Sequence, residues 1–187
     1  MTCIIGMVCG DDVYMGADSA GVSGWDIVTR KDPKVFFNGE FLIGYTSSFR
    51  MGQILRYSFC PPKPREGVDS YKYMCTEFID TLISTFKDKG FAQINNNEVT
   101  GGTFLVGYRG SLFEIDSDFQ VGEVLKNYTS VGCGYAYALG SLYSSENSGR
   151  SPEDCITIAL SAAQEFSAGV RAPFLIKHFE YKENNKD

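Results

Sequence analysis

Thr2-Cys3-Ile4-Ile5-Gly6-Met7-Val8, the turn Gly10-Asp11-Asp12, and Val13-Tyr14-Met15-Gly16-Ala17-Asp18-Ser19 make up the stretch on which the fold turns. Cys3 to Val8 and Val13 to Ala17 are apolar runs too short for helices, and the turn residues between them predict two neighbouring strands. Lys34 to Phe37 and Phe41 to Tyr45 repeat the pattern. Asn38-Gly39 between them predicts a two-residue hairpin, because Asn-Gly supplies the positive φ that such turns need. The chain therefore opens with antiparallel strands.

Outward from this start, Phe49 to Phe59 predicts a helix and Cys60 to Val68 a proline-bearing loop. A longer helix from Tyr71 to Lys89 follows from Met74, Phe78, Leu82 and Phe86 at steps of four, with Ile79 and Ile83 widening the stripe. Asn95 to Thr100 reads as a polar loop, Thr103 to Val106 and Ser111 to Ile115 as strands turning at Arg109-Gly110, and Tyr128 to Val131 as another strand. Tyr135 to Tyr143 and Pro152 to Phe166 read as helices. The second has Ser151 as cap, Pro152 at its first position and Glu153 and Asp154 in its first turn. Pro173 to Tyr181 closes the pattern as a strand, and Lys182 to Asp187 is expected to fray. Strands, two helices, strands, two helices and a strand predict an α+β protein. Its two antiparallel sheets, flanked by paired helices, form a four-layer αββα sandwich. No shift of composition divides the chain, so one domain over residues 1–187 is expected.

The composition narrows the chemistry. A net charge of −6 and 21% charged residues do not suit a protein that coats nucleic acid, and no apolar run reaches the roughly 18 residues of a membrane span. The start lacks the basic region of a signal peptide, and six cysteines without a Cys-x-x-Cys pair read as free thiols in a reducing cytoplasm. With a single histidine, zinc-ligand spacing is absent. His178 lies in an alternating stretch where an ordinary strand residue is expected, so a Ser-His-Asp or Cys-His enzyme is disfavoured.

Without histidine or metal, a hydroxyl can still be activated by an amine, and an α-amino group with a pKa of about 7.7 to 8.0 suits a base near neutrality. Removing Met1 would leave Thr2 carrying nucleophile and base together. Asp18 ends a strand before small residues, and Lys34 opens the next strand. A lysine and an aspartate at adjacent strand ends can pair and lower the pKa of a neighbouring hydroxyl and amine. Spacing alone favours a surface lysine and a turn aspartate.

Here the chain resembles the proteasome β-subunits and HslV-type peptidases, which are N-terminal nucleophile hydrolases. The resemblance rests on Thr2-Cys3-Ile4-Ile5-Gly6, Gly16-Ala17-Asp18-Ser19 and Lys34-Val35-Phe36 followed by Phe41-Leu42-Ile43-Gly44, with Asp18 and Lys34 standing 16 and 32 positions past Thr2. Gly101-Gly102-Thr103 and Gly132-Cys133-Gly134 resemble later turns of the family. The resemblance implies Thr2 as nucleophile, its freed amine as general base, Lys34 as electrostatic activator and Asp18 as the partner orienting Lys34. An oxyanion donor is implied at Ser48, or at Ser47 if one residue is gained, and Gly21, Asp32, Thr46 and Arg50 line the pocket for the residue before the scissile bond. Cys133 stands where the family has serine, and Glu165, Ala168 and Gly169 stand where an acid and then Ser-Gly are expected.

The resemblance further implies a peptide or unfolded-protein substrate, a homo-oligomeric ring, a separate ATP-dependent unfoldase and no cofactor. A small-amide amidohydrolase of the same superfamily and a catalytically silent ring subunit are the rival readings.

Overall fold

Successive side chains on a pleated strand point to opposite faces, and this alternation sorts the apolar residues into three interfaces. In the computed structural model, which describes residues 1–96 and 98–181, β1 (Cys3–Cys9) turns Cys3 and Ile5 to one side and Ile4 to the other. β1 pairs antiparallel with β2 (Asp12–Ala17) and β12 (Tyr128–Gly132), and β13 (Leu175–Phe179) extends the sheet beyond β2. The second sheet runs in the order β11 (Val121–Glu123), β10 (Ser111–Ile115), β9 (Phe104–Tyr108), β6 (Phe41–Tyr45) and β5 (Val35–Asn38).

Ile4, Val13, Met15, Leu42 and Leu105 fill the space between the sheets. Outside the first sheet, α4 (Tyr135–Ser145) and α5 (Pro152–Phe166) pack over Cys3 and Ile5. Outside the second lie α1 (Phe49–Tyr57) and a long helical run, packed over Phe41, Ile43, Phe104 and Val106. This is the expected αββα sandwich. Strands β6 and β9 are buried at every position because each has helices on one face and a sheet on the other. Glycines hold the sheets close. A Cβ at Gly44 would stand 2.5 Å from Met15 Sδ, and one at Gly107 would stand 2.7 Å from Val13 Cγ1.

Several local expectations are corrected. The β5–β6 hairpin turns at Gly39-Glu40, one residue later than predicted. Asn38 pairs with Phe41, and its side-chain amide donates to the carbonyls of Leu55 and Phe59 at the end of α1, both at 2.9 Å. Gly39 takes the positive φ of 58°. The predicted long helix consists of α2 (Ser70–Tyr73), a π-helical turn (Met74–Phe78) and α3 (Ile79–Asp88).

The stretch expected as a polar loop at Asn95 to Thr100 takes part in a small hairpin of β7 (Gln93–Asn95) and β8 (Glu98–Thr100). Backbone pairing outweighs the polar composition there. A second hairpin, β3 (Ala20–Ser23) with β4 (Asp26–Thr29), was not signalled by its mixed sequence, nor was β11. Asn97 of the predicted loop and the predicted frayed tail, Lys182 to Asp187, lie outside the described residues. The Ser151 cap is as expected, its hydroxyl accepting from Asp154 N–H at 3.1 Å, an arrangement worth about 1 kcal/mol. Among the described residues no helix is long and apolar enough to cross a membrane.

Candidate active site

Both sheets present strand ends to one place. Thr2 precedes β1, Asp18 follows β2, Lys34 precedes β5, Thr46 to Ser48 follow β6, and Gly132 to Gly134 close β12. Thr2 is 4% exposed, and Asp18 and Lys34, at 2% each, lie far below the usual exposure of charged residues. The Lys34 ammonium donates to Asp18 Oδ1 at 2.9 Å, and the same oxygen accepts the Cys3 N–H at 3.0 Å, one residue past Thr2. Asp18 Oδ2 accepts from the N–H groups of Ala20 at 2.8 Å and Arg171 at 3.3 Å. Four donors thus hold this carboxylate, which keeps a buried charge compensated. Burial pulls the Lys34 pKa below that of an ordinary lysine, against the opposing pull of Asp18.

Thr2 is gripped from its other side. Its N–H donates to Cys133 Sγ at 3.3 Å, its carbonyl accepts from the Cys133 thiol and from Gly134 N–H, both at 3.4 Å, and its hydroxyl donates to the Met1 carbonyl. Gly132 is required here twice over, since its φ is +98° and a Cβ would stand 2.2 Å from the Thr2 oxygen. Gly169 matters similarly, because a Cβ there would meet Cys133 Sγ at 2.6 Å and Met1 Cβ at 2.7 Å. Ser167, which ends α5, donates its hydroxyl to Cys133 Sγ at 3.4 Å. Sequence reading set the expected serine against Ala168. The structure gives the contact to Ser167 one residue earlier, and a one-residue shift in matching the Ser-Gly pair was the available signal.

The two oxyanion candidates now separate. Ser48 gives its N–H to the Thr46 carbonyl at 2.6 Å, and its hydroxyl caps α1 by accepting from the N–H groups of Arg50 and Met51. Ser47 has a positive φ of 61°, is exposed, and its N–H donates to no described group. Its hydroxyl accepts from Thr103 N–H at 3.2 Å, which fixes the turn. Ser47 is therefore the residue with a donor to offer, and Ser48 is a helix cap.

Of the remaining candidates, Glu165 is exposed on the last turn of α5. It lines an open cleft together with Ser167 and Arg171, and makes no hydrogen bond to Thr2, Lys34 or Cys133. Its expected catalytic contact is thus not made. Thr46 is buried, its hydroxyl donates to the Thr103 carbonyl at 3.1 Å, and its methyl lies against Gly132. Gly21 and Asp32 are joined by Arg30, which sequence reading missed. The Arg30 guanidinium makes a two-point contact with Asp32 at 2.9 Å for each bond and lies 3.8 Å from the Phe49 ring centroid. Arg50 is exposed in the first turn of α1. Among the described residues, no group of three or more His, Cys, Asp or Glu side chains is assembled to hold a metal ion.

Comparison with known proteins bears on the fold. No family model matches the sequence. No curated protein matches it either. Solved structures do. BPH of Thiobacillus denitrificans in complex with epoxomicin is 20% identical with a TM-score of 0.80, covering 97% of this chain and 100% of that one. Eukaryotic HslV from Trypanosoma brucei is 16% identical with a TM-score of 0.69, covering 96% and 100% respectively. Anbu, an ancestral β-subunit, from Yersinia bercovieri is 14% identical with a TM-score of 0.65, covering 95% and 81%.

Proposed function

We propose that this chain, whose fold is that of the proteasome-type N-terminal nucleophile hydrolases, is a threonine peptidase. It cleaves peptides or unfolded proteins with Thr2 as nucleophile once Met1 is removed. The observation that carries this reading is Asp18 Oδ1, which ties the buried Lys34 ammonium to the backbone beside Thr2. A lysine is buried against water's attraction only where its charge has a partner, and here that partner, Asp18, also holds the backbone one residue past Thr2.

In the proposed reaction the Thr2 hydroxyl adds to the substrate carbonyl carbon and gives its proton to the freed α-amine. The Ser47 N–H donates to the oxyanion, and Lys34 stabilises negative charge gathering on the threonine oxygen. The amine returns the proton to the departing peptide nitrogen, and water then hydrolyses the acyl-enzyme. No cofactor takes part. Cys133 and Ser167 orient the amine. All six cysteines are free thiols, in keeping with the cytoplasmic setting we propose. The subunits would assemble into a homo-oligomeric ring fed by a separate ATP-dependent unfoldase. The thiol at Cys133, a weaker hydrogen-bond partner than a hydroxyl, and the exposed Glu165 favour a silent assembly subunit instead.

The test is a peptide-cleavage assay with the N-terminus read by intact mass. Thr2→Ala is expected to abolish cleavage while Thr2→Ser retains part of it, and Lys34→Ala should lower turnover by about a hundredfold or more. Activity should rise with pH as the amine loses its proton, near about 7.7 to 8.0. It should fall again before the roughly 10.4 of an ordinary lysine, because Lys34 gives up its proton more readily than usual. Full activity with Met1 retained, or in Thr2→Ala, would falsify the mechanism. Cleavage of small acyl amides but of no peptide would select the amidohydrolase reading.

A further inference from the structure

Arg30 occupies the room that Gly21 leaves open. A Cβ on Gly21 would stand 2.7 Å from Arg30 Cδ and 3.0 Å from Arg30 Cγ, so the glycine makes space for the arginine stem. From there the guanidinium lies over Phe49, whose ring centroid is 3.8 Å from Arg30 Cζ and 5.8 Å from the Lys34 ammonium. One aromatic ring thus neighbours both the lysine proposed as activator and, more closely, Arg30. Asp32 accepts from Arg30 Nε and Nη2, each at 2.9 Å, which uses one edge of the guanidinium. The end-on edge, formed by Nη1 and the second hydrogen of Nη2, donates to no described group, and the Arg30 side chain is 37% exposed. Tyr45, packed edge-on to Phe49 with ring centroids 6.1 Å apart, borders the same cluster, and Arg50 adds a second positive charge at the start of α1.

A guanidinium has two edges that each match a carboxylate with parallel hydrogen bonds. Here one edge is filled by a fixed partner, the group is held over a ring, and the other edge is left open. We propose that Arg30 sets the substrate class of this site: peptides carrying glutamate or aspartate immediately before the scissile bond. The side-chain carboxylate takes the open edge, and Asp32 and Phe49 position the guanidinium to receive it. The stem of Arg30 also fills the ground beside Gly21, which shortens the pocket against large apolar side chains. This inference rests on the peptidase reading above.

The experiment is a panel of fluorogenic tripeptides that differ only in the residue before the cleaved bond, with glutamate, leucine, tyrosine and arginine compared by kcat/KM. The wild type should prefer glutamate. In Arg30→Ala the ratio of glutamate to leucine turnover should fall by about tenfold or more, because the fixed donors for the carboxylate are lost. If that variant does not fold, Arg30→Gln keeps much of the stem over Gly21 and removes the charge, and it should lower the ratio likewise. A wild type that cleaves peptides but prefers leucine, tyrosine or arginine overturns the inference alone, as does an unchanged ratio in the folded Arg30 variants. A wild type that cleaves none of the panel overturns the peptidase reading and this inference with it.

Discussion

Cys133 is the residue at which this site differs in chemistry from a hydroxyl-lined one. Its sulfur touches the Thr2 N–H, the Thr2 carbonyl and the Ser167 hydroxyl, and all three contacts are the long ones that sulfur makes. Cys133→Ser is expected to keep the fold and to raise turnover, since an oxygen holds the amine more firmly. Alkylation by iodoacetamide should inactivate the wild type and spare Cys133→Ser. Cys3, also beside the site, does not confuse this test. It is buried, and burial pushes its thiol up to about 12, which leaves little reactive thiolate. Inactivation of the serine variant at the same rate would assign the thiol effect elsewhere. At this scale Thr2, Asp18 and Lys34 were singled out through the family resemblance that their spacing carries, and the structure brings Lys34 and the backbone beside Thr2 onto one oxygen of Asp18. Arg30 and Ser167 were not, because their roles depend on side chains that reach across from other elements.

At the scale of elements, legibility followed periodicity. Met74, Phe78, Leu82 and Phe86 recur at steps of four and are all buried. In an unbroken α-helix a step of four drifts by about 40° each time, so four such residues would wander off one face. The π turn over Met74–Phe78 holds more residues per turn and takes back part of that drift. The stripe was therefore read correctly as helical, and its strict period was also the sign of the π turn. The Asn38-Gly39 hairpin was displaced by one residue because the Asn38 amide satisfies two helix-end carbonyls, a tertiary contact that outbids local turn preference. The turn after β12 has no such slack. Gly132→Ala must accept both a φ of +98° and a Cβ 2.2 Å from the Thr2 carbonyl oxygen. A destabilisation of roughly 3 kcal/mol is expected in urea titration, with cleavage lost even where the variant remains folded. A melt equal to that of the wild type would show that the turn yields.

The whole molecule keeps several large apolar side chains on its surface, among them Trp25 at the tip of the β3–β4 hairpin, Leu125, Tyr143 and Phe166. Tyr137 and Phe166 pair across α4 and α5, with ring centroids 5.6 Å apart. Apolar surface of this kind favours association with further copies. Light scattering is expected to give a mass several times the 20.7 kDa of one chain, and a stable monomer at micromolar concentration would refute the ring. The layered architecture was legible as a whole, since the order of strands and helices admits few packings. The small hairpins were not, because β3, β4, β7 and β8 lie outside the two main sheets and their sequences alternate too little to stand out.

The glycine seam between the sheets bears on the chemistry at their ends. Thr2 and Asp18 are carried by one sheet, Lys34 and Ser47 by the other, and what separates the two groups is the thickness of a layer thinned at Gly44 and Gly107. The spacing of the groups we propose as nucleophile, activator and oxyanion donor is thus set from deep inside the protein. The seam works as a calliper, and its opening is gauged by the absent methyl groups. If the proposed peptidase reading holds, selection on turnover reaches past the cleft, and substitutions at these buried glycines tune the rate without touching a reacting atom.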